Sequence, residues 1–213
     1  MKRVQVMSFI FARFYDKCMK ATEDACLMDW RKELLKNVDG KLLEVGAGTG
    51  ASLELYPKNS SLEIFLCEPD QNMRSQLIEK VEDQNLTNVS VLSCPGEKIA
   101  SEDDFYDYVF VSLVCCSVND IEASLNEIKR VLKSDGHFIF LEHVAAINGS
   151  SRRKWQDRLN FFWRKLAGNC HLNRETEQHI KNAGFTIIEI KHESMRKAFS
   201  LVRPTIRGLA KLT

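Results

Sequence analysis

The sequence has little of what would place it by composition alone. It lacks an apolar run long enough to cross a bilayer: the N-terminal "MKRVQVMSFIFARFYDK" is interrupted by Gln5, Ser8 and Arg13. A membrane span is therefore not expected, and with no small-residue cleavage site following, neither is a signal peptide. It lacks an excess of either charge, since 30 Lys plus Arg stand against 29 Asp plus Glu. That balance removes the global attraction on which nucleic-acid binding rests, so no nucleic-acid partner is expected. The basic residues Arg152, Arg153, Lys154, Arg158, Arg164 and Lys165 read as a solvated helix face. The seven cysteines are odd in number and show no C-x-x-C pair. This excludes a zinc ribbon and a secreted disulfide scaffold. Reduced thiols, no metal and a cytoplasmic location are expected. With four prolines and no internal repeat, a solenoid is excluded too.

What is present is a chain of 213 residues with 44% apolar and 28% charged residues, enough for one core and one domain over 1–213. Met7, Ile10, Phe11, Phe14 and Cys18 share a helical face. They predict a helix packed on the domain, with weak peripheral contact to the cytosolic face of a membrane as the alternative. "TEDACLMDWRKELLKNVDG" predicts an amphipathic helix with Thr22 as its N-cap and Asp39-Gly40 as its stop. Strand patterns then follow in "KLLEV", "LEIFLCE", "VSVLS", "YDYVFVSLV" and "GHFIFLEHV", with helical segments at 70–81 and 120–132 among them. Alternation of this kind predicts an α/β fold with a doubly wound, mostly parallel sheet and ligands at the carboxyl ends of the strands. Residues 148–172 form an insertion with a helix bearing Trp155, Leu159, Phe162 and Leu166; a helix over 174–183 and two strand segments with no helix between them follow. The last two predict an antiparallel pair at one end of the sheet.

The motif that carries chemistry is "KLLEVGAGTGA". Gly46, Gly48 and Gly50 allow a tight strand-to-helix turn with bare backbone against a ligand, and Gly46, Gly48 and Ala51 also satisfy a dinucleotide fingerprint. Glu44 separates the two readings. A pyrophosphate gains from a helix N-terminus and loses from a nearby carboxylate. S-Adenosylmethionine has no phosphate, and both its ammonium and its sulfonium are positive, so a carboxylate suits it. Twenty residues beyond Gly48, Glu68 can accept hydrogen bonds from two ribose hydroxyls.

"LLEVGAGTG", "CEPD", "YDYVFVSLV", "EIKRVLKSDGHFIFLEHV" and the terminal strand pair resemble the class I S-adenosylmethionine-dependent methyltransferases. "GAGTGASLELYP", "LVCCSVND", "LEHVAA", "GNCHLNRET" and "LVRPTIRGLA" are similar, more narrowly, to the methyltransferase-like seven group of alkyl thiol S-methyltransferases and their type 11 relatives. The resemblance implies a seven-stranded Rossmann-like sheet with an antiparallel C-terminal strand between two helical layers. It implies that Glu44, Gly46, Ala47, Gly48 and Gly50 hold the methionine part and Glu68 the ribose. Pro69 and Met73 would border the adenine, Gly96 and Glu97 its edge, while Val114, Cys115 and Ser117 floor the sulfonium. Tyr15, within an N-terminal helical lid over 1–40, would close the pocket.

Methyl transfer is an in-line displacement, so alignment and exclusion of water carry most of the rate. A thiol acceptor, with a reference pKa of about 8.5, needs only a modest base. His143, at the end of the fifth motif strand, is the candidate catalytic residue. Trp155, Cys170 and His171 are the candidate substrate residues in the cap over 148–172. Cys115 and Cys116 are adjacent, point to opposite faces and chelate poorly as a pair. The expected activity is methyl transfer to a small acceptor, a thiol favoured, with another small molecule, a lipid or a protein as the alternative acceptor. A nicotinamide-dependent oxidoreductase and a non-catalytic cofactor-binding protein are the competing functions.

Overall fold

The protein is described here by a computed structural model covering residues 19–58 and 61–213. Tyr15 and the apolar face from Met7 to Cys18 lie outside the described residues.

Seven strands form one sheet: β1 Lys41–Val45, β2 Glu63–Cys67, β3 Val89–Leu92, β4 Tyr106–Ser112, β5 Leu132–His143, β6 Phe185–Ser194 and β7 Pro204–Leu212. Their order is β3-β2-β1-β4-β5-β7-β6. All neighbours run parallel except β7, which is antiparallel to both β5 and β6. The terminal pair expected from the sequence is therefore present. The α-helices are α1 Met28–Leu35, α2 Gln71–Asp83, α3 Ile121–Val131, α4 Ser151–Leu166 and α5 Thr176–Asn182, with short 3-10 turns at Leu53–Leu55 and Ser200–Val202.

Strand alternation builds both faces of the core. Val109 and Val111 with Phe138 and Phe140 meet Leu125 and Ile128 of α3 on one face. Phe110 and Ile139 point the other way, where Leu42, Ile64 and Leu66 pack with Leu35 and with Leu77 of α2. This period-2 division sandwiches the sheet between helical layers. The strand order reverses between β1 and β4, which opens a crevice above their carboxyl ends.

Side-chain caps set the N-termini of three of these five helices. Asp70 accepts from the amides of Asn72 and Met73 at 2.9 and 3.0 Å, capping α2. Asp120 does the same for Glu122 and Ala123, and Ser150 caps α4 through Arg153. Thr22 does not act as a cap. Residues 19–22 are already helical, and the chain passes through a π-helical turn at Glu23–Leu27 into α1.

Cys67 at the end of β2 and Cys94 beyond β3 are neighbours, with their Cα atoms 5.8 Å apart. One further expectation is corrected. Helix α4 packs the opposite way from the one its hydrophobic period suggested. Trp155, Phe162 and Leu166 are 53%, 63% and 77% exposed. Buried Gln156 fastens the helix instead, accepting from the amide of Ala146 at 2.8 Å and donating to the carbonyls of Leu201 and Val144 at 2.8 and 3.4 Å. One turn on, Asn160 accepts from the amide of Leu172. These polar anchors satisfy main-chain groups of the neighbouring loops, and that requirement turns the apolar stripe outward.

Candidate active site

A cleft of about 420 Å³ lies over the carboxyl ends of β1 and β4. Glu44, Gly46, Ala47, Gly48 and Ser112 line it from the sheet, and Met19, Glu23 and Arg31 from the N-terminal helix. The described part of the expected lid thus forms one wall.

The glycine loop leaves β1 in left-handed conformations. Gly46 has φ +71°, and a Cβ there would stand 2.5 Å from Val114 Cγ2. Gly48 has φ +58°, and a Cβ there would meet nothing within 4 Å. Gly46 thus lets the loop close onto the chain after β4, while Gly48 keeps bare backbone toward the open cleft. Gly50 lies deeper, against Leu53 and Leu77.

Two buried carboxylates flank this loop. Glu44 accepts from Ser52 Oγ at 2.8 Å and from the Tyr56 hydroxyl. Burial raises its pKa, against the hydrogen bonds from Tyr56 and Ser52. Each carboxylate oxygen keeps a second lone pair, so Glu44 can still accept a ligand N–H. Glu68 accepts from the amide of Gly48 through Oε2 and from that of Asp70 through Oε1, both at 2.8 Å. It joins the glycine loop to the start of α2; burial raises its pKa too, opposed by those two amides. Pro69 and Glu68 supply carbonyls to the Arg74 guanidinium, and Met73 sits in the capped first turn of α2.

Gly96 packs on Val45 at the end of β1, where a Cβ would lie 3.2 Å from Cγ1. Glu97 accepts from the amides of Asn119 and Asp120 at 2.8 and 3.4 Å. It therefore ties the loop after β3 to the loop after β4.

The segment after β4 is held from both sides by main-chain bonds. Leu113 takes φ +59°, a left-handed conformation that costs a non-glycine residue about 1–2 kcal/mol. The amides of Val114, Cys115 and Cys116 then converge on the buried Glu142 carboxylate at 2.9, 3.1 and 3.3 Å. Burial pushes Glu142 up to about 7, against the pull of those three amides. On the other side, Arg174 donates to the carbonyls of Cys115 and Val118 at 2.6 and 2.9 Å. Asn169 Nδ2 donates to the Ser117 carbonyl and the His171 amide to that of Cys116.

This strap brings Cys170 to the end of β5, with its Sγ 3.6 Å from His143 Nδ1. Cys116 joins them, and one ligand atom from each of Cys116, His143 and Cys170 lies within 4.8 Å of the others. Cys170 is drawn well below the usual thiol range by the hydrogen bond from Cys116 and then by His143, whereas Cys116 is pushed up by the same pairing and by burial. His143 is buried and, among the described residues, its Nε2 has no partner. His171 is lowered to about 4 by burial and by the positive charges of Arg174 and Arg164.

The structure therefore gathers Glu44, Gly46, Ala47 and Gly48 in one cleft, with Glu68 bonded to it and Val114 against Gly46. His143 and Cys170 meet beside the main chain of His171. Trp155 stands apart on the outer face of α4. Tyr15 lies outside the described residues.

Sequence reasoning missed Arg31, Glu142 and Arg174. Arg31 is buried, donates through Nε to Ser112 Oγ at 2.9 Å and pairs with both Glu23 oxygens. A signal for it existed: it falls four residues from both Leu27 and Leu35 on the buried helix stripe, where a charge needs a reason.

A sequence profile described as Methyltransferase domain matches residues 43–140. Human thiol S-methyltransferase TMT1A is 34% identical over 190 residues, covering 84% of this chain and 77% of that protein. Rat thiol S-methyltransferase TMT1B is 33% identical, covering 79% and 69%. Among solved structures, a SAM-dependent methyltransferase from Aquifex aeolicus superposes with a TM-score of 0.67 at 18% identity, covering 92% and 98% of the two chains. The [4+2]-cyclase SpnF gives 0.71 at 17% identity, covering 87% and 79%. At such identities the likeness shows the fold alone, and a cyclase among the neighbours illustrates why.

Proposed function

The chain belongs to the class I S-adenosylmethionine-dependent methyltransferases, within the group that holds the thiol S-methyltransferases, and from that membership we propose that it methylates the sulfur of a small, apolar thiol. S-Adenosylmethionine is its cofactor and supplies, when bound, a methyl group activated by attachment to a positively charged sulfur.

The observation that carries the reading is Gly48, whose bare backbone faces the open cleft while its amide is fixed by Glu68. The residues fit the cofactor. Glu44 and Arg31, of opposite charge, line one cleft and match the two charged ends of an amino acid. Glu68, with lone pairs left after accepting two amides, would hold the ribose hydroxyls. Gly96 and Glu97 would border the adenine with Pro69 and Met73, and Val114, Cys115 and Ser117 would floor the reacting end. The loop 114–118, bonded on both its amide and carbonyl sides, is rigid enough to hold an acceptor at near-attack distance.

The choice of a thiol is supported by the relatives' activity. It also asks least of the protein, because part of any thiol is already ionised near neutral pH. The base role expected for His143 has one support, an Nε2 without a partner among the described residues. A small-molecule acceptor fits the cleft. Among the described residues no helix is long and apolar enough to cross a membrane; a cytoplasmic location belongs to the same proposal, supported by the free thiols of Cys26, Cys115, Cys116 and Cys170.

The test is a labelled-donor assay of the purified chain against alkyl thiols, phenols, amines and lipids, with products identified by mass. A labelled thioether is the expected product. Labelling of an amine, phenol or lipid with no thiol modified would overturn the thiol assignment.

A further inference from the structure

The geometry points to a metal site at Cys116, His143 and Cys170: a Zn²⁺-class ion held by two thiolates and one imidazole, with its fourth position available to the acceptor sulfur. The second half of this inference rests on the thiol reading above.

The donor set is the first argument. Two sulfurs and an imidazole nitrogen are the ligands that soft and borderline ions select, and three protein ligands with one open place is the arrangement of zinc sites that act on a substrate. Distance is the second. With Zn–S near 2.3 Å and Zn–N near 2.05 Å at a tetrahedral angle, a ligating sulfur and nitrogen stand about 3.6 Å apart. His143 Nδ1 and Cys170 Sγ are 3.6 Å apart, and the ligand atoms of all three residues lie within 4.8 Å of one another.

Rigidity is the third. His143 ends β5 and is paired in register with Thr205 of β7. Cys116 is fixed by Glu142 at its amide and by the His171 amide at its carbonyl, and Cys170 by its own amide to the Ala167 carbonyl. The three ligands are thus set by main-chain bonds before any ion arrives, which lowers the ordering cost of binding. Cys116 and His143 are buried and Cys170 is partly exposed, so the entry path runs past Cys170. The site also stands two residues beyond Val114, whose side chain touches the glycine loop.

As the two Zn–S bonds form, the thiol protons pass to water. An acceptor thiol taking the fourth place loses its proton to water in the same way, and its sulfur keeps an electron pair for the methyl carbon; as that S–CH3 bond forms, the methyl–sulfonium bond breaks and its pair stays on the sulfur of the departing S-adenosylhomocysteine. His143 is then a ligand, and activation of the acceptor needs no general base.

The experiment uses the full chain purified under reducing conditions without chelator. Metal content is read by mass spectrometry of the digested protein, and the stripped protein is titrated with Co²⁺ while its thiolate-to-cobalt charge-transfer absorption is followed. One equivalent is expected in the wild type. Cys116→Ser, Cys170→Ser and His143→Gln should each weaken binding by more than the roughly 10–100-fold that loss of an outer-shell partner costs, while Cys26→Ser binds normally. Adding propanethiol to the cobalt form should intensify the charge-transfer band. Absence of the thiolate band in the wild type, or equal binding by the variants, would overturn the site; an unchanged band with propanethiol would overturn the fourth-position assignment. S-Adenosylhomocysteine calorimetry on the stripped protein separates the two readings. If that ligand binds and cobalt does not, the metal inference falls and the methyltransferase reading stands. If cobalt binds and no thiol is methylated, the site stands and the acceptor assignment falls.

Discussion

Replacing two glycines of one loop by alanine should produce opposite phenotypes. Both Gly46 and Gly48 have positive φ, so either alanine incurs left-handed strain of about 1 kcal/mol. In Gly48→Ala that is the whole effect on the fold, because the new methyl meets nothing within 4 Å; in a chain of this length the Tm should drop by roughly 2–4 °C. In Gly46→Ala the methyl arrives 2.5 Å from Val114 Cγ2, and overpacking adds about 1–3 kcal/mol, for a fall of roughly 10 °C. Binding should rank the other way. The Gly48→Ala methyl enters the space left for the cofactor, and a clash of about 1–3 kcal/mol weakens S-adenosylhomocysteine by roughly 5- to 150-fold. Thermal unfolding and calorimetric titration of both variants measure the two effects. A Gly48→Ala protein that binds the ligand within about twofold of wild type would refute the reasoning, since the cofactor could not then lie against that residue.

Other substitutions probe separate parts. Arg31→Lys should weaken S-adenosylhomocysteine binding by about tenfold or more, because an ammonium cannot reproduce the bidentate pair with Glu23 together with the bond to Ser112; calorimetry reads it. Gln156→Leu strands the Ala146 amide and the Leu201 and Val144 carbonyls and should lose about 3 kcal/mol in urea unfolding. Asp107 is titrated down from 3.8: burial raises it, but the Lys133 ammonium and the Lys41 amide together outweigh burial. Its contribution to stability is therefore present above 3.8 and lost as pH falls through its lowered folded value. The stability gap between wild type and Asp107→Asn should accordingly be open at pH 7 and narrow in acid; a gap independent of pH would remove the ion pair from the account.

The parts of the molecule that could be read from sequence are those whose cause is local. The strands showed their period and the glycine loop its turn, because each depends on neighbours a few residues away. Glu68 was picked out because its separation from Gly48 is set by the single connection from β1 to its neighbour β2. Arg174 and Glu142 were not legible: their partners are main-chain groups 56–59 and 26–28 residues away, and a backbone carbonyl leaves no mark in a sequence. Cys116 and Cys170 look like isolated thiols until the strap folds over. For α4 the period was legible but its direction was not. A hydrophobic stripe records which residues share a face, and only the Gln156 and Asn160 anchors decide which face turns inward.

The floor of the site is fastened by peptide groups rather than by side chains. Glu142 grips amides and residues 169–174 grip carbonyls, and every residue type except proline offers both. The frame therefore asks little of residue type, and Ser117, half-buried, is the one side chain along it that neither packs the core, touches the glycine loop nor serves as a ligand. It can be exchanged while the frame persists, so a lineage, or a laboratory library confined to that position, can explore new acceptors without first having to rebuild the scaffold that presents them.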